Sequence, residues 1–481
     1  MPTGNPPLVA GFALPTGHVM HPSILREYDI RGIYGRTLFD ADAYVIGRRF
    51  AAVVLAEGGA RIAVGRDGRL SSPALEAALV AGLTDGGVDV TRIGLGPTPM
   101  LYFAEASMPE QDGGIQITGS HNPGDHNGFK IVFRGRPFFG ADIRRLGQMA
   151  AVEQAEIGRK GVDRAVCPMA AYGAALLGAL KGVDRAALDQ VRIGWDTGNG
   201  AAGPVMQALI AQLPGEHILL FPDVNGHFPN HHPDPSNAAN LADLRSAVLS
   251  NHLDFGVAFD GDADRLGIVD ARGRIIDGDR LLSLAAADVL PDHPGAMVVA
   301  DIKTSQAVID DIARLGGQPL LWKTGHSHIK SKMKETGAIL GGEMTGHLFY
   351  ADRWYGFDDA IYAALRIIAA SVRPGRSVTA MHEAMAVMHA TPEIRIPVAE
   401  EAKFDIVANV AEQMRAAGIA ADLTDGLRVT GPDGWWLLRP SNTEAMLGAR
   451  AESASAQGLA RVLAQLDAAL AQCGVVRPLG G

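Results

Sequence analysis

The chain has 481 residues, 47% of them hydrophobic and 20% charged, with a net charge of -10 and a pI near 5.8. That length exceeds one ordinary hydrophobic core and points to several domains, while the composition excludes disordered and fibrous classes. An acidic chain without a long Lys/Arg run also disfavours nucleic-acid binding, so an anionic ligand would need a local island of positive groups.

In chain order, the opening stretch MPTGNPPLVAGFALPTG is broken by prolines and lacks a basic flank, so it does not read as a signal peptide. EYDIRG (residues 27–32) adds basic and aromatic groups without being diagnostic. RIAVGRDGR (61–69) reads as an apolar strand ending in an Asp-Gly turn, followed by an alanine-rich helix over 73–86 and a strand in VDVTRIGLG. The strand GGIQI then runs into the polar loop TGSHNP (118–123). RIGWDTGNG (192–200) repeats the plan, with a helix over 203–213, a strand over 217–221, and the strand FGVAF before DGDADR (260–265). AMVVADIKTS (296–305) repeats it again, with a helix to 315, the strand QPLLW, KTGHSHIK (323–330), and GAIL before GEMTGH (342–347).

Each repeat is a strand, polar turn, helix and strand, the pattern of a βαβ crossover. The predicted fold class is therefore α/β, with three similar α/β domains of mixed, largely parallel sheets at 1–168, 169–273 and 274–387. Their period is domain-sized, which implies duplication of a domain rather than a solenoid. Residues 388–481 differ. IRIPVAE, a helix around 404–416, a PDG turn between two strands and a final helix over 454–472 predict a smaller C-terminal α+β domain. Polar residues just past a strand's carboxyl end are where open α/β sheets hold ligands, so the three equivalent loops are placed to face one shared cleft.

Apolar runs are short and interrupted by glycine or charge, which predicts no transmembrane helix. Two cysteines, Cys167 and Cys473, lie outside any CxxC pair, which disfavours a disulfide framework and a cysteine-rich zinc site. The cytoplasm is the expected location.

The loops carry the chemistry. In DGDADR, Asp260, Asp262 and Asp264 alternate, and three such carboxylates repel unless a hard divalent cation such as magnesium gathers them. Arg265 beside them can meet a phosphate oxygen. In TGSHNP, Ser120 is a hydroxyl on a glycine-flanked loop that lacks the GxSxG elbow of acyl hydrolases. His121 is its neighbour in a segment read as extended, so its ring is expected to point away from Ser120. GEMTGH offers Glu343, Thr345 and His347 at alternating positions, a mixed donor and acceptor set suited to sugar hydroxyls. RPSNTE offers Arg439, Ser441, Asn442 and Thr443 after a strand, a set able to ring phosphate oxygens.

Taken together, EYDIRG, TGSHNP, DGDADR, KTGHSHIK, GEMTGH with DRWYGFDDA, and RPSNTE resemble the α-D-phosphohexomutases, in the form of the bacterial phosphomannomutase/phosphoglucomutase branch. The motifs run in family order from Glu27 to Glu444. The resemblance implies four domains around a central cleft, a phosphoserine at Ser120, and magnesium among Asp260, Asp262, Asp264 and the Ser120 phosphate. It implies that Lys130 lies near the reacting oxygen, Tyr28 and Arg31 form an N-terminal active-site pair, and Lys303 and His326 line the cleft. Glu343 and His347 correspond to sugar ligands, and Arg439, Ser441, Asn442 and Thr443 to a distal phosphate clamp. Two residues depart from the family pattern: Thr345 replaces a usual serine, and Ala445 a usual proline.

The activity so implied is reversible interconversion of mannose or glucose 1-phosphate and 6-phosphate through a bound hexose 1,6-bisphosphate, which also serves as activator. Lys130 is the candidate base, with its pKa depressed by cations such as Arg31. Phosphosugars are the expected partners, with no nucleic acid and no membrane, and the chain is expected to be a monomer or weak homo-oligomer. The alternatives are a phosphoglucosamine mutase, a magnesium-dependent sugar phosphatase with an Asp nucleophile, and a non-catalytic sugar-phosphate sensor.

Overall fold

The structure is a computed structural model that describes residues 18–152, 158–441 and 444–478. The N-terminal stretch weighed as a signal peptide therefore lies outside the described residues. Four separate sheets follow one another along the chain, and the first three share a nucleus.

In the first sheet, Arg61–Arg66 pairs in parallel with Asp89–Leu95 on one side and Gly113–Ile117 on the other. In the second, Arg192–Asp196 lies between Glu216–Leu220 and Phe255–Phe259, again in parallel. In the third, Met297–Asp301 lies between Gln318–Trp322 and Leu340–Gly342. The threefold echo in the sequence is thus a threefold repeat of one parallel, three-stranded unit with its crossover helices.

The structure adds a fourth strand to each unit. His126–Phe133, Leu266–Asp270 and Leu348–Tyr350 each turn back antiparallel against the strand that precedes the polar loop. Each motif loop is therefore pinned at both ends, as the turn between a parallel strand's carboxyl end and a returning neighbour. The helices begin and end close to their predicted limits. The helix from Gly203 stops at Ile210, short of 213, where Pro214 biases the preceding residue away from helix.

The first sheet packs one face into a core of its own around Phe50, Ile115 and Phe133, while a larger core runs through the first three domains and buries Ala63, Ile93 and Val132 of the first sheet together with Trp195, Phe255, Leu340 and Tyr362. Large apolar side chains each contribute roughly 1.5–3 kcal/mol on burial, so this shared core ties the first three domains firmly. The fourth sheet is wholly antiparallel, with Gly434–Pro440 between Leu427–Gly431 and Met446–Ser453. It docks on the third through Ile302, Trp435 and Leu437. Arg428 adds hydrogen bonds to the carbonyls of Ile302 (2.6 Å) and Thr304 (3.0 Å), and Arg450 one to that of Lys303 (2.6 Å). Cys167 is exposed just before the helix Met169–Leu177, and Cys473 half-buried at the end of the helix Ala456–Gln472; both are free thiols. Among the described residues no helix is long and apolar enough to cross a membrane.

Candidate active site

Ser120 sits in the turn between Gly113–Ile117 and His126–Phe133 with a φ of 49°. A non-glycine residue in this left-handed region costs about 1–3 kcal/mol and persists only where its surroundings enforce it. Its N–H donates to Thr118 Oγ1 at 2.8 Å, and its hydroxyl donates to Asp260 Oδ2 at 2.8 Å. This turn overturns the expectation for His121. The segment is not extended at Ser120, so the His121 ring swings towards the serine and its Nδ1 lies 3.1 Å from Ser120 Oγ. Burial, followed by Arg265, Arg31 and Lys130 nearby, holds His121 well below the usual histidine pKa.

The acidic loop Asp260–Arg265 is the equivalent turn of the second unit. Asp260, Asp262 and Asp264 are fully buried, with carboxylate oxygens within 4.8 Å of one another. Burial and the other two carboxylates raise Asp260 well above the ordinary range. Oδ1 of Asp262 and Oδ1 of Asp264 have no hydrogen-bond partner. Three clustered hard oxygens, two unsatisfied atoms and an adjacent serine hydroxyl fit a divalent cation of the magnesium type.

Lys130 comes from the return strand of the first unit. Its ammonium donates to Asp262 Oδ2 at 2.7 Å and also to Asp264. Burial lowers the Lys130 pKa, but Asp262, Asp264 and Asp260 outweigh it and hold it above the usual lysine range. The expected depression by Arg31 is therefore not found, because the carboxylates are the stronger neighbours here.

The third unit closes the site. Arg265 Nε donates to His347 Nε2 at 2.9 Å, and His347 Nδ1 lies 3.1 Å from Asp358 Oδ2. Asp358 also takes a hydrogen bond from Lys330 at 2.8 Å and lies 3.6 Å from His326 Nδ1. The His326 and His347 rings stack with centroids 5.6 Å apart. Glu343 accepts the Gly325 N–H at 2.5 Å, and burial raises its carboxyl pKa. Thr345 is half-buried in the same turn. From the first domain, Arg31 donates to Asn122 of the serine loop at 2.9 Å, and the Tyr28 hydroxyl donates to the Thr324 carbonyl at 3.0 Å.

The clamp candidates are linked to this network. Asp425 pairs with Arg439 at 3.1 Å and accepts the Thr324 N–H at 3.1 Å. Ser441 is buried and its hydroxyl accepts the Glu444 N–H at 3.1 Å. Lys303 is buried, 3.8 Å from Glu393. Asn442 and Thr443 lie outside the described residues.

Sequence reasoning gave no role to Thr98, Asp358, Lys330 or Arg69. Thr98 donates to Asp262 across 164 positions of sequence, which no motif spacing reveals. Asp358 lies within DRWYGFDDA, where complete burial next to two histidines, invisible in one sequence, is the signal.

Profiles of the phosphoglucomutase/phosphomannomutase family match in order: α/β/α domain I over residues 22–156, domain II over 171–273, domain III over 277–388 and the C-terminal domain over 393–469. The chain is 44% identical to a phosphomannomutase/phosphoglucomutase of Pseudomonas putida over 442 residues, covering 92% of this chain and 94% of that one. It is 42% identical to a phosphoglucomutase of Neisseria gonorrhoeae, covering 91% and 95%. A crystal structure of a phosphoglucomutase/phosphomannomutase family protein from Burkholderia thailandensis superposes with a TM-score of 0.87 at 39% identity, covering 95% and 99%.

Proposed function

Because this chain belongs to the phosphoglucomutase/phosphomannomutase family, we propose that it interconverts hexose 1-phosphate and hexose 6-phosphate of glucose, mannose or both through a phosphorylated Ser120. The observation that carries this reading is the contact of Ser120 Oγ with Asp260, where two pinned loops from different domains meet.

In the proposed cycle the phosphoryl group leaves Ser120 Oγ for the free hydroxyl of hexose 1-phosphate, which gives up its proton. The resulting hexose 1,6-bisphosphate stays bound and turns end over end. Ser120 Oγ then takes the other phosphate and hexose 6-phosphate departs. The same bisphosphate is the activator that charges an unphosphorylated serine. Asp260, Asp262, Asp264 and the serine oxygen are the residues that would hold magnesium, which supplies hard positive charge against phosphoryl oxygens.

Around that centre, Arg265 and Arg31 add fixed cations, the main demand of a phosphoryl-transfer transition state. His121 Nδ1 is the nitrogen in hydrogen-bond range of Ser120 Oγ and serves the proton there. Lys130 is assigned to the sugar hydroxyl and must first yield the proton that its carboxylate neighbours favour. Glu343, Thr345 and His347, with Tyr28, Lys303 and His326, are assigned to the sugar, and Arg439, Ser441, Asn442 and Thr443 to the non-reacting phosphate. The phosphatase alternative is less well supported, since Asp260 and Asp262 already engage Ser120, Thr98 and Lys130 rather than standing free as nucleophiles. Two free thiols favour a cytoplasmic setting for this reaction.

The test is intact mass before and after incubation with glucose 1,6-bisphosphate. Wild-type protein gains one phosphoryl group, located on Ser120 by peptide mapping. Ser120→Ala gains none, and its turnover falls by about 100-fold or more, as for loss of a major catalytic group. Turnover near the wild-type level in Ser120→Ala would remove the serine from the cycle.

A further inference from the structure

Arg69 stands at the end of the first strand–turn, 1% exposed, and takes no part in the assignments above. Its guanidinium reaches across to the serine loop and is consumed by backbone carbonyls. Nη1 donates to Pro123 (2.5 Å) and His126 (2.9 Å), and Nη2 to Ser120 (2.7 Å) and Asn122 (2.6 Å). Nε lies 3.2 Å from Asp67 Oδ2. That carboxylate also accepts the Gly119 N–H at 3.2 Å, and its other oxygen accepts the Arg69 N–H at 3.0 Å and the Ser72 hydroxyl at 2.6 Å. Four carbonyls of one short loop thus converge on a single buried cation.

We propose that Arg69 is a positioning residue for phosphoryl transfer, holding the Ser120 loop in the shape that aims Oγ at Asp260; this deepens the mutase reading and rests on it. Carbonyls that converge in a buried turn repel one another and need donors. A planar guanidinium meets four in one plane, which the compact lysine ammonium does not. The left-handed φ of Ser120 is the conformation so enforced, since a residue there persists only under such over-determination. Gly119 is matched to this role. A Cβ there would lie 2.5 Å from Arg69 Cζ, so a larger residue would push the guanidinium off the loop.

The second domain roofs the arrangement. The Arg69 guanidinium lies over the Phe228 ring at 5.3 Å, and a Cβ on Gly226 would be 2.8 Å from the Gly68 carbonyl. The segment 224–228 therefore presses on the Arg69 turn, and the loop's shape depends on the two domains being seated together.

The experiment compares wild type, Arg69→Lys, Arg69→Gln and Phe228→Ala. It measures phosphoryl uptake from glucose 1,6-bisphosphate by intact mass, kcat and KM, and Kd of glucose 1-phosphate for the dephosphorylated protein. For both Arg69 variants, uptake rate and kcat are expected to fall together by about 100-fold, the effect of misplacing a reacting atom by roughly 1 Å. KM and Kd should stay within about threefold, because no sugar contact is touched. A merely structural role would instead lower kcat and binding together with the folded fraction. Arg69→Lys turning over at the wild-type rate, or losing kcat and Kd in proportion, overturns the proposal. Should the Arg69 variants not fold, Phe228→Ala decides: lower kcat at unchanged KM supports it, and unchanged kcat overturns it. Wild-type protein that takes up no phosphoryl group overturns the Ser120 reading itself.

Discussion

Asp359 is fully buried at the start of the helix Ala360–Ser371, where it accepts the Tyr362 N–H at 2.9 Å and the Tyr172 hydroxyl at 2.8 Å. Burial pushes its carboxyl up to about 7 despite those hydrogen bonds. An unfolded Asp titrates at about 3.9. Between the two values the folded chain holds a proton that the unfolded chain has lost, so this contribution to stability is complete below the lower value and lost as pH rises through the higher. Asp359→Asn keeps an oxygen for the helix cap and no longer titrates. Calorimetric melting at pH 5 and pH 8 should show the variant gaining on wild type by about 1–3 kcal/mol across that interval; an equal gap at both pH values would mean an ordinary carboxyl. Residues such as Asp359, Asp358 and Arg69 were illegible in the sequence because their meaning lies in burial and distant partners. Asp260, Asp262, Asp264 and Ser120 were legible because their chemistry is compressed into six-residue loops after apolar strands. His121 was misjudged for one reason: the sequence does not show that Ser120 has a positive φ.

At the level of elements, the helix His326–Thr336 is entered through Gly325, whose φ is 121°. A Cβ there would lie 2.4 Å from the Tyr28 ring, so this glycine permits the first domain's aromatic residue to seat against the third domain. Gly325→Ala is expected to destabilise the protein by at least about 1–3 kcal/mol, and to weaken hexose 6-phosphate binding as Tyr28 and His326 part. Thermal unfolding and titration of the same sample would check both; an unchanged melt would show that the turn adapts freely. The strands and most helices of the three repeats were readable from periodicity. The return strands were not marked as such, since HNGFKIVF and LGIVD are apolar runs that could pair in either direction. Only the sheet register fixes them as antiparallel.

Across the whole molecule, the fourth domain brings Arg439 up to the third domain through Asp425. Asp425 holds Arg439 and the Thr324 N–H together, so the candidate clamp residue is registered to the turn that also receives Tyr28. If one clamp grips the non-reacting phosphate in both orientations, Arg439→Ala should weaken glucose 1-phosphate and glucose 6-phosphate alike. Loss of a charge-assisted contact costs about 1.5–3 kcal/mol, or roughly one to two decades in Kd. Titration calorimetry with each isomer measures it, and a loss confined to one isomer would contradict a shared clamp. Duplication and the odd fourth domain were visible in the sequence. That the first three domains share one core was not, because the apolar faces of separate repeats look alike until they are packed.

The two thiols offer a ruler for this assembly. Cys167 stands in the open on the connection from the first sheet to the second, while Cys473 is half-covered behind the last helix, its sulfur 3.4 Å from Gln413 Nε2. A maleimide dye should therefore react first with Cys167, and a second dye with Cys473 after longer exposure. One native chain, without an engineered cysteine, then carries a donor and an acceptor on its first linker and its last domain. Energy transfer between them would measure whether the spacing of the first linker and the last domain changes when a phosphosugar binds.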